Sequence, residues 1–187
     1  PNSMQERFIA NLRKILERGE ERALLISATG TGKTYASAFA MRELGFKRVL
    51  FLVHRVTLAK QAKNSFEKVF DKKVTMGLVG AGSYEYEKDY VFATVETLNR
   101  DTHLFQYQPN DFDCIILDEA HHSSNNIYTK VIHYFKPKLF LGMTATPDKR
   151  EDNQEGKNIY EIFHYQIAHE IRLQQAMEEE LLCPFHY

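Results

Sequence analysis

Tryptophan is absent, cysteine occurs twice, and no apolar run approaches the length needed to cross a bilayer. Two cysteines, Cys114 and Cys183, cannot build a disulfide framework or a zinc site by themselves, and Cys114 stands in an apolar run that reads as a buried strand. A reducing, cytoplasmic setting is the expectation. The N-terminus lacks the charged, apolar and small-residue regions of a signal peptide. Charge of one sign is also lacking: 24 basic against 25 acidic residues leave a net charge of −1. That balance neither advertises a polyanion partner nor excludes a local basic groove. The missing tryptophan decides nothing.

What is present is enough for one large domain, since 187 residues with 43% hydrophobic content can bury a substantial core. Residues 5–18, "QERFIANLRKILER", carry Phe8, Ile9, Leu12, Ile15 and Leu16 at helical spacing, and Gly19 closes that helix. Five short apolar runs follow: "ALLIS" (23–27), "RVLFLV" (48–53), "YVFAT" (90–94), "CIILD" (114–118) and "KLFLGM" (138–143). Helical patterns to about Leu44 and about Phe70 separate the first three. Continuous apolar strands alternating with amphipathic helices predict an α/β domain, a doubly wound parallel sheet with helices on both faces. Ligands of such sheets sit beyond the carboxyl ends of the strands, so the turns after residues 27, 53, 94, 118 and 143 should share one edge. "GSYEYEKDY" (82–90) predicts a surface hairpin, with base stacking the lesser alternative. The polar stretch 148–158 predicts a surface loop.

"SATGTGKT" (27–34) leaves a strand and opens a helix. Gly30 and Gly32 let backbone N–H groups close around phosphate oxygens at a helix N-terminus. Lys33, expected to face solvent, can reach the β- and γ-phosphates, and the Thr34 hydroxyl can hold Mg²⁺. Ser27 stands where the strict pattern wants glycine. Asp118, at the end of "CIILD", supplies from a second strand the carboxylate such a metal needs, and Glu119 stands ready as the base that activates water.

"ATGTGKT", "DEAHH" and "TAT" (144–146), in that order, resemble motifs I, II and III of superfamily 2 helicases of the DEAH-box type. The flanks are most similar to the Res-subunit branch of restriction enzymes, and the resemblance covers essentially the whole chain. It implies a RecA-like P-loop NTPase lobe over 1–176, with 177–187 leading towards a second RecA-like domain outside this chain. Residues 160–187 would form the exit helix and connector. The resemblance implies ATP and Mg²⁺ as cofactors, with Thr29, Gly30, Thr31, Gly32, Lys33 and Thr34 around the nucleotide. Gln5 matches the adenine-reading motif, although the arginine common three residues earlier is Asn2 here. His54 and Arg55 match motif Ia, and Thr94 and Thr97 match motif Ib, all implied nucleic-acid contacts. His121, Thr144 and Thr146 match positions that couple nucleotide state to nucleic-acid grip.

The implied activity is that of an ATP-dependent DNA helicase or translocase in restriction, defence or repair. An RNA helicase lobe and a non-hydrolysing nucleotide-dependent binding module are the alternatives. The arginine that completes such an ATPase site is implied to lie on the second lobe.

Overall fold

A computed structural model describes residues 3–27, 30–119, 127–145 and 171–172. The chain opens with α1 (Ser3–Glu17), whose buried Met4, Phe8, Ile9, Leu12 and Ile15 form one stripe at helical spacing. Gly19 ends it with a left-handed φ of 76°, and the N–H of Glu20 closes back on the carbonyl of Ile15. Then come β1 (Arg22–Ser27), α2 (Gly30–Glu43), β2 (Val49–Val53), α3 (Val56–Val69), β3 (Met76–Gly80), β4 (Ser83–Tyr84) and β5 (Tyr90–Thr94). Two single-turn helices follow, α4 (Val95–Leu98) and α5 (Asp101–Leu104). After them lie β6 (Cys114–Asp118), α6 (Thr129–Tyr134), β7 (Leu139–Ala145) and β8 (Ile171–Arg172).

The strands form one sheet in the order β4-β3-β5-β2-β6-β7-β1-β8. Every pairing is parallel except that of β3 with β4. Both faces are covered, and the side-chain alternation of the strands sorts the core accordingly. Leu25, Phe51, Phe92, Ile116 and Leu141 pack with α1, α2 and α3, whereas Leu24, Leu50, Val91, Ile115 and Phe140 pack with residues of α4, α5 and α6. Aromatic rings pack on both faces: beneath α3 Phe66 meets Phe51 edge-on at 5.4 Å and Phe92 at 5.2 Å, and on the other face Tyr107 lies 4.7 Å from Phe112. Cys114 is buried in this core, and burial pushes its thiol well up. The doubly wound parallel sheet is therefore the one the apolar runs predict. Register also puts the strand ends on one edge, with Ser27 beside Ala145, Val53 beside Thr94 and Asp118 beside Met143.

Three features differ from the sequence reading. Met76–Gly80 is a strand that the continuous-run criterion passes over, because it lies towards the sheet edge and only alternate residues are buried. The hairpin expected within 82–90 lies earlier: Tyr90 opens the buried β5, whereas Met76–Gly80 turns through Ala81 and Gly82, at φ 53° and 87°, into Ser83–Tyr84. Beyond it Glu85 completes the edge: its N–H donates to the Leu78 carbonyl at 3.1 Å and its carboxylate accepts from the Leu78 N–H at 3.0 Å. A Cβ on Gly77 would lie 2.6 Å from Cγ of Lys88, so these side chains cover the strand closely. Third, Ile171–Arg172 pairs in parallel with Leu25 and Ile26. Within the stretch 160–187, expected to hold the exit helix and connector, these two residues are therefore strand. The loop expected at 148–158 lies outside the described residues, as does 177–187. Among the described residues no helix is long and apolar enough to cross a membrane.

Candidate nucleotide site

α2 begins at Gly30, three residues after β1 ends, so Gly30, Thr31 and Gly32 form its first turn. The N–H groups of a first helical turn have no partner within the helix, which makes them donors for an anion. Lys33 follows on that turn. The strand that leads into this helix, β1, is separated from β6 by β7, a gap of roughly 10 Å at ordinary strand spacing. The lysine side chain spans it. Nζ lies 3.0 Å from Oδ1 of Asp118 and also donates to Oε1 of Glu119. Lys33 is only 2% exposed, so the expectation of a solvent-facing lysine is corrected: the ammonium is buried because two carboxylates lie under it.

Asp118 ends β6, where consecutive side chains would ordinarily point to opposite faces. Glu119 breaks that alternation with a left-handed φ of 54°, uncommon for a residue with a Cβ. Its N–H donates to Oδ1 of Asp118 at 2.9 Å. Burial pushes the Asp118 carboxyl above its ordinary range, against the opposing pull of the Lys33 charge. The Asp118 carbonyl accepts from the Tyr128 hydroxyl at 2.7 Å, and that hydroxyl lies 3.4 Å from Nε2 of His54.

A cavity of about 200 Å³ opens here, lined by Lys33, Thr34, Leu58, Gln61, Ala62, Ser65, Asp118 and Glu119. Four predicted site residues thus share one wall. Gln61 and Ser65 were not singled out from the sequence, yet a signal exists: 58, 61, 62 and 65 fall on one helical face that is apolar apart from these two. Thr34 and Asp118 offer hard oxygen donors, the type Mg²⁺ takes. Among the described residues no group of three or more His, Cys, Asp or Glu could hold a metal. Mg²⁺ normally completes its shell with phosphate and water, so two such oxygens are compatible with it.

Gln5 is buried on α1, which packs along α2. His54 and Arg55 occupy the turn between β2 and α3; Arg55 is exposed and caps α3 through its backbone alone. Thr94 and Thr97 pair at the end of β5, Oγ1 to Oγ1 at 2.8 Å, with the Thr97 N–H on Oγ1 of Thr94 at 3.2 Å. Gly80 lies against them, since a Cβ there would meet Oγ1 of Thr97 at 2.7 Å. Thr144 is buried on β7, level with Ile26 of β1. The three sets therefore sit on one sheet edge without touching the cavity. Thr29, His121 and Thr146 lie outside the described residues, and of Thr31 only the backbone is described.

The family profile of the type III restriction enzyme res subunit matches residues 1–149. The type I restriction enzyme EcoAI endonuclease subunit of Escherichia coli is 29% identical over 99% of this chain and 23% of its own length. A Saccharomyces cerevisiae protein assigned as an ATP-dependent helicase, IRC3, is 30% identical over 90% of this chain and 26% of its own. This chain therefore spans about a quarter of either relative. Among solved structures, the Pyrococcus furiosus Hef helicase domain superposes with a TM-score of 0.69 at 20% identity, over 88% of this chain and 36% of that one. The shared architecture is the RecA-like fold.

Proposed function

The chain belongs to the type III restriction enzyme Res-subunit family, and from that premise we propose that residues 1–176 are the ATP-binding motor lobe of a helicase or translocase acting on DNA in restriction, defence or repair. The observation that carries the reading is the buried ammonium of Lys33 between Asp118 and Glu119, on the cavity that Thr34 also lines. A triphosphate entering there competes with the two carboxylates for that charge. The N–H groups of Gly30 to Lys33 hold the phosphate oxygens, and Gln5 meets the adenine from α1. Thr34 and Asp118 would hold Mg²⁺, which would supply charge neutralisation to the triphosphate when bound. Glu119 orients a water and accepts its proton.

Arg55, His54, Thr94 and Thr97 grip the strand through its phosphates, so little base preference is expected. Thr144, with His121 and Thr146, relates this grip to the nucleotide. A second RecA-like domain in the full-length protein supplies the arginine that stabilises the transition state, a contribution of roughly 10³–10⁵ in rate. Steady-state ATPase assays on the full-length protein with single-stranded DNA, duplex DNA and RNA test this. Turnover stimulated most by DNA is expected, and absence of stimulation by any polynucleotide overturns the reading. The 187 residues alone should bind ATP but turn over slowly, with little response to DNA. DNA-stimulated turnover of the fragment, lost in Arg150→Ala, would place the arginine in this lobe instead.

A further inference from the structure

Tyr128 belongs to none of the motifs, yet it is fully buried and its hydroxyl reaches the backbone of Asp118. That hydroxyl has one proton, and the Asp118 carbonyl, which can only accept, takes it at 2.7 Å. Towards Nε2 of His54 the tyrosine oxygen can then only accept, at a stretched 3.4 Å, and the two rings meet edge-on at 5.8 Å.

The carbonyl it holds belongs to a single peptide plane with two duties. Its N–H, that of Glu119, donates to Oδ1 of Asp118 at 2.9 Å, and its far side leads into the left-handed backbone of Glu119. Tilting this one plane reorients both acids together. His54 approaches the same hydroxyl from the turn that carries Arg55. The contact is short on the acid side and loose on the turn side. A shift of a few tenths of an ångström in that turn would make or break it.

We propose that Tyr128 is a positioning residue through which the β2–α3 turn sets the Asp118–Glu119 peptide, so that engagement of a nucleic-acid strand at that turn is felt by the hydrolytic acids. The inference rests on the function proposed above. Coupling is reciprocal: the same link lets bound nucleotide alter the turn's hold on the strand.

Tyr128→Phe in the full-length protein deletes the hydroxyl and keeps the ring. ATPase is measured without DNA and at saturating single-stranded DNA, so that strand affinity drops out. The ratio of the two rates should fall by roughly fivefold or more, with KM for ATP unchanged. His54→Phe reaches the contact from the turn and leaves the core alone; it should lower the same ratio, and the double variant should be no worse than either single one. A melting curve establishes that each variant folds; should Tyr128→Phe not fold, His54→Phe decides, its lost grip being read as strand affinity and the lost link as the ratio at saturating strand, and weakened affinity with a native ratio would overturn the inference. A native ratio in a folded Tyr128→Phe, or additive losses in the double variant, would overturn the inference. If the unsubstituted protein is not stimulated by any polynucleotide, the functional reading itself has failed, a distinguishable result.

Discussion

Glu119 donates its backbone N–H to the carboxylate of its neighbour Asp118 at 2.9 Å, and does so from a left-handed φ of 54°. Without that turn of the backbone, two successive residues leaving a strand would diverge. With it, both carboxylates meet the one ammonium of Lys33. The cluster "DEAHH" thus begins with a pair of acids on one cation, to which the proposed function gives different tasks.

Those tasks separate on substitution. In the full-length protein, Glu119→Gln should keep ATP and Mg²⁺ binding and lose turnover by roughly 10²–10⁴, the worth of a positioned base. Asp118→Asn should instead weaken the metal-dependent part of nucleotide affinity. Nucleotide titrations with and without Mg²⁺, beside steady-state rates, read both. Normal turnover in Glu119→Gln would put the base elsewhere.

The pH dependence of stability carries a second expectation. The folded-state pKa of Asp118 is raised, chiefly by burial. A raised pKa means that the folded state binds the proton more tightly, so this residue's contribution is fully present below its unfolded pKa of about 3.9 and is lost as pH rises through the folded value. Asp118→Asn removes that loss. Melting temperatures from pH 3.5 to 7 should shift steadily in favour of the Asn variant relative to the parent. A constant difference across that range would mean the carboxyl is not strained by burial.

Lys33→Ala tests the other partner. Because the lysine is buried under two acids, its removal should abolish nucleotide binding and also destabilise the fold, by about 3–5 kcal/mol if the acids stay charged. The deficit should shrink towards pH 4, where protonation substitutes for the missing cation. A variant that binds ATP normally would refute the phosphate-loop assignment. One that is as stable as the parent at neutral pH would refute the buried cluster.

Arg55 and Thr97 stand on the sheet edge away from the cavity. Arg55→Ala and Thr97→Ala should weaken DNA binding to a similar extent on unrelated sequences, and Arg55→Ala should also reduce the salt slope by about one. Fluorescence anisotropy over a salt series is the measurement. A loss confined to one sequence would indicate base readout and contradict phosphate contact.

The five central strands were legible because a strand buried on both faces must be apolar throughout, and "YVFAT" and "CIILD" have the bounds the structure gives them. Met76–Gly80 was not, since Gly77 and Gly80 owe their place to what approaches them: Lys88 and Glu85 at one, Thr97 at the other. No local pattern reports such an approach. The same limit hid the burial of Lys33, which follows from where β6 falls relative to β1 in the sheet. Tyr128 was silent for a related reason: its meaning lies in the Asp118 carbonyl and in His54, distant in sequence. That Lys33, Thr34, Asp118 and Glu119 share one cavity wall could be expected from type and spacing, because phosphate and metal chemistry restricts the residues that can serve.

The covering of β3 by Glu85 and Lys88 bears on how the protein behaves in concentrated solution. Sheets of this kind end in backbone donors and acceptors that can template a strand from another molecule. Here β4 occupies the end of that row, and past it the Glu85 carboxylate takes the next N–H itself. An incoming strand would have to displace a charged group and strip its water before gaining one hydrogen bond. The margin of the sheet is thereby a gatekeeper against self-association, and its strength depends on charge rather than on bulk. Glu85→Gln with Lys88→Gln would keep the shape and remove that barrier, leaving a protein that folds and melts as before yet forms high-mass species on concentration.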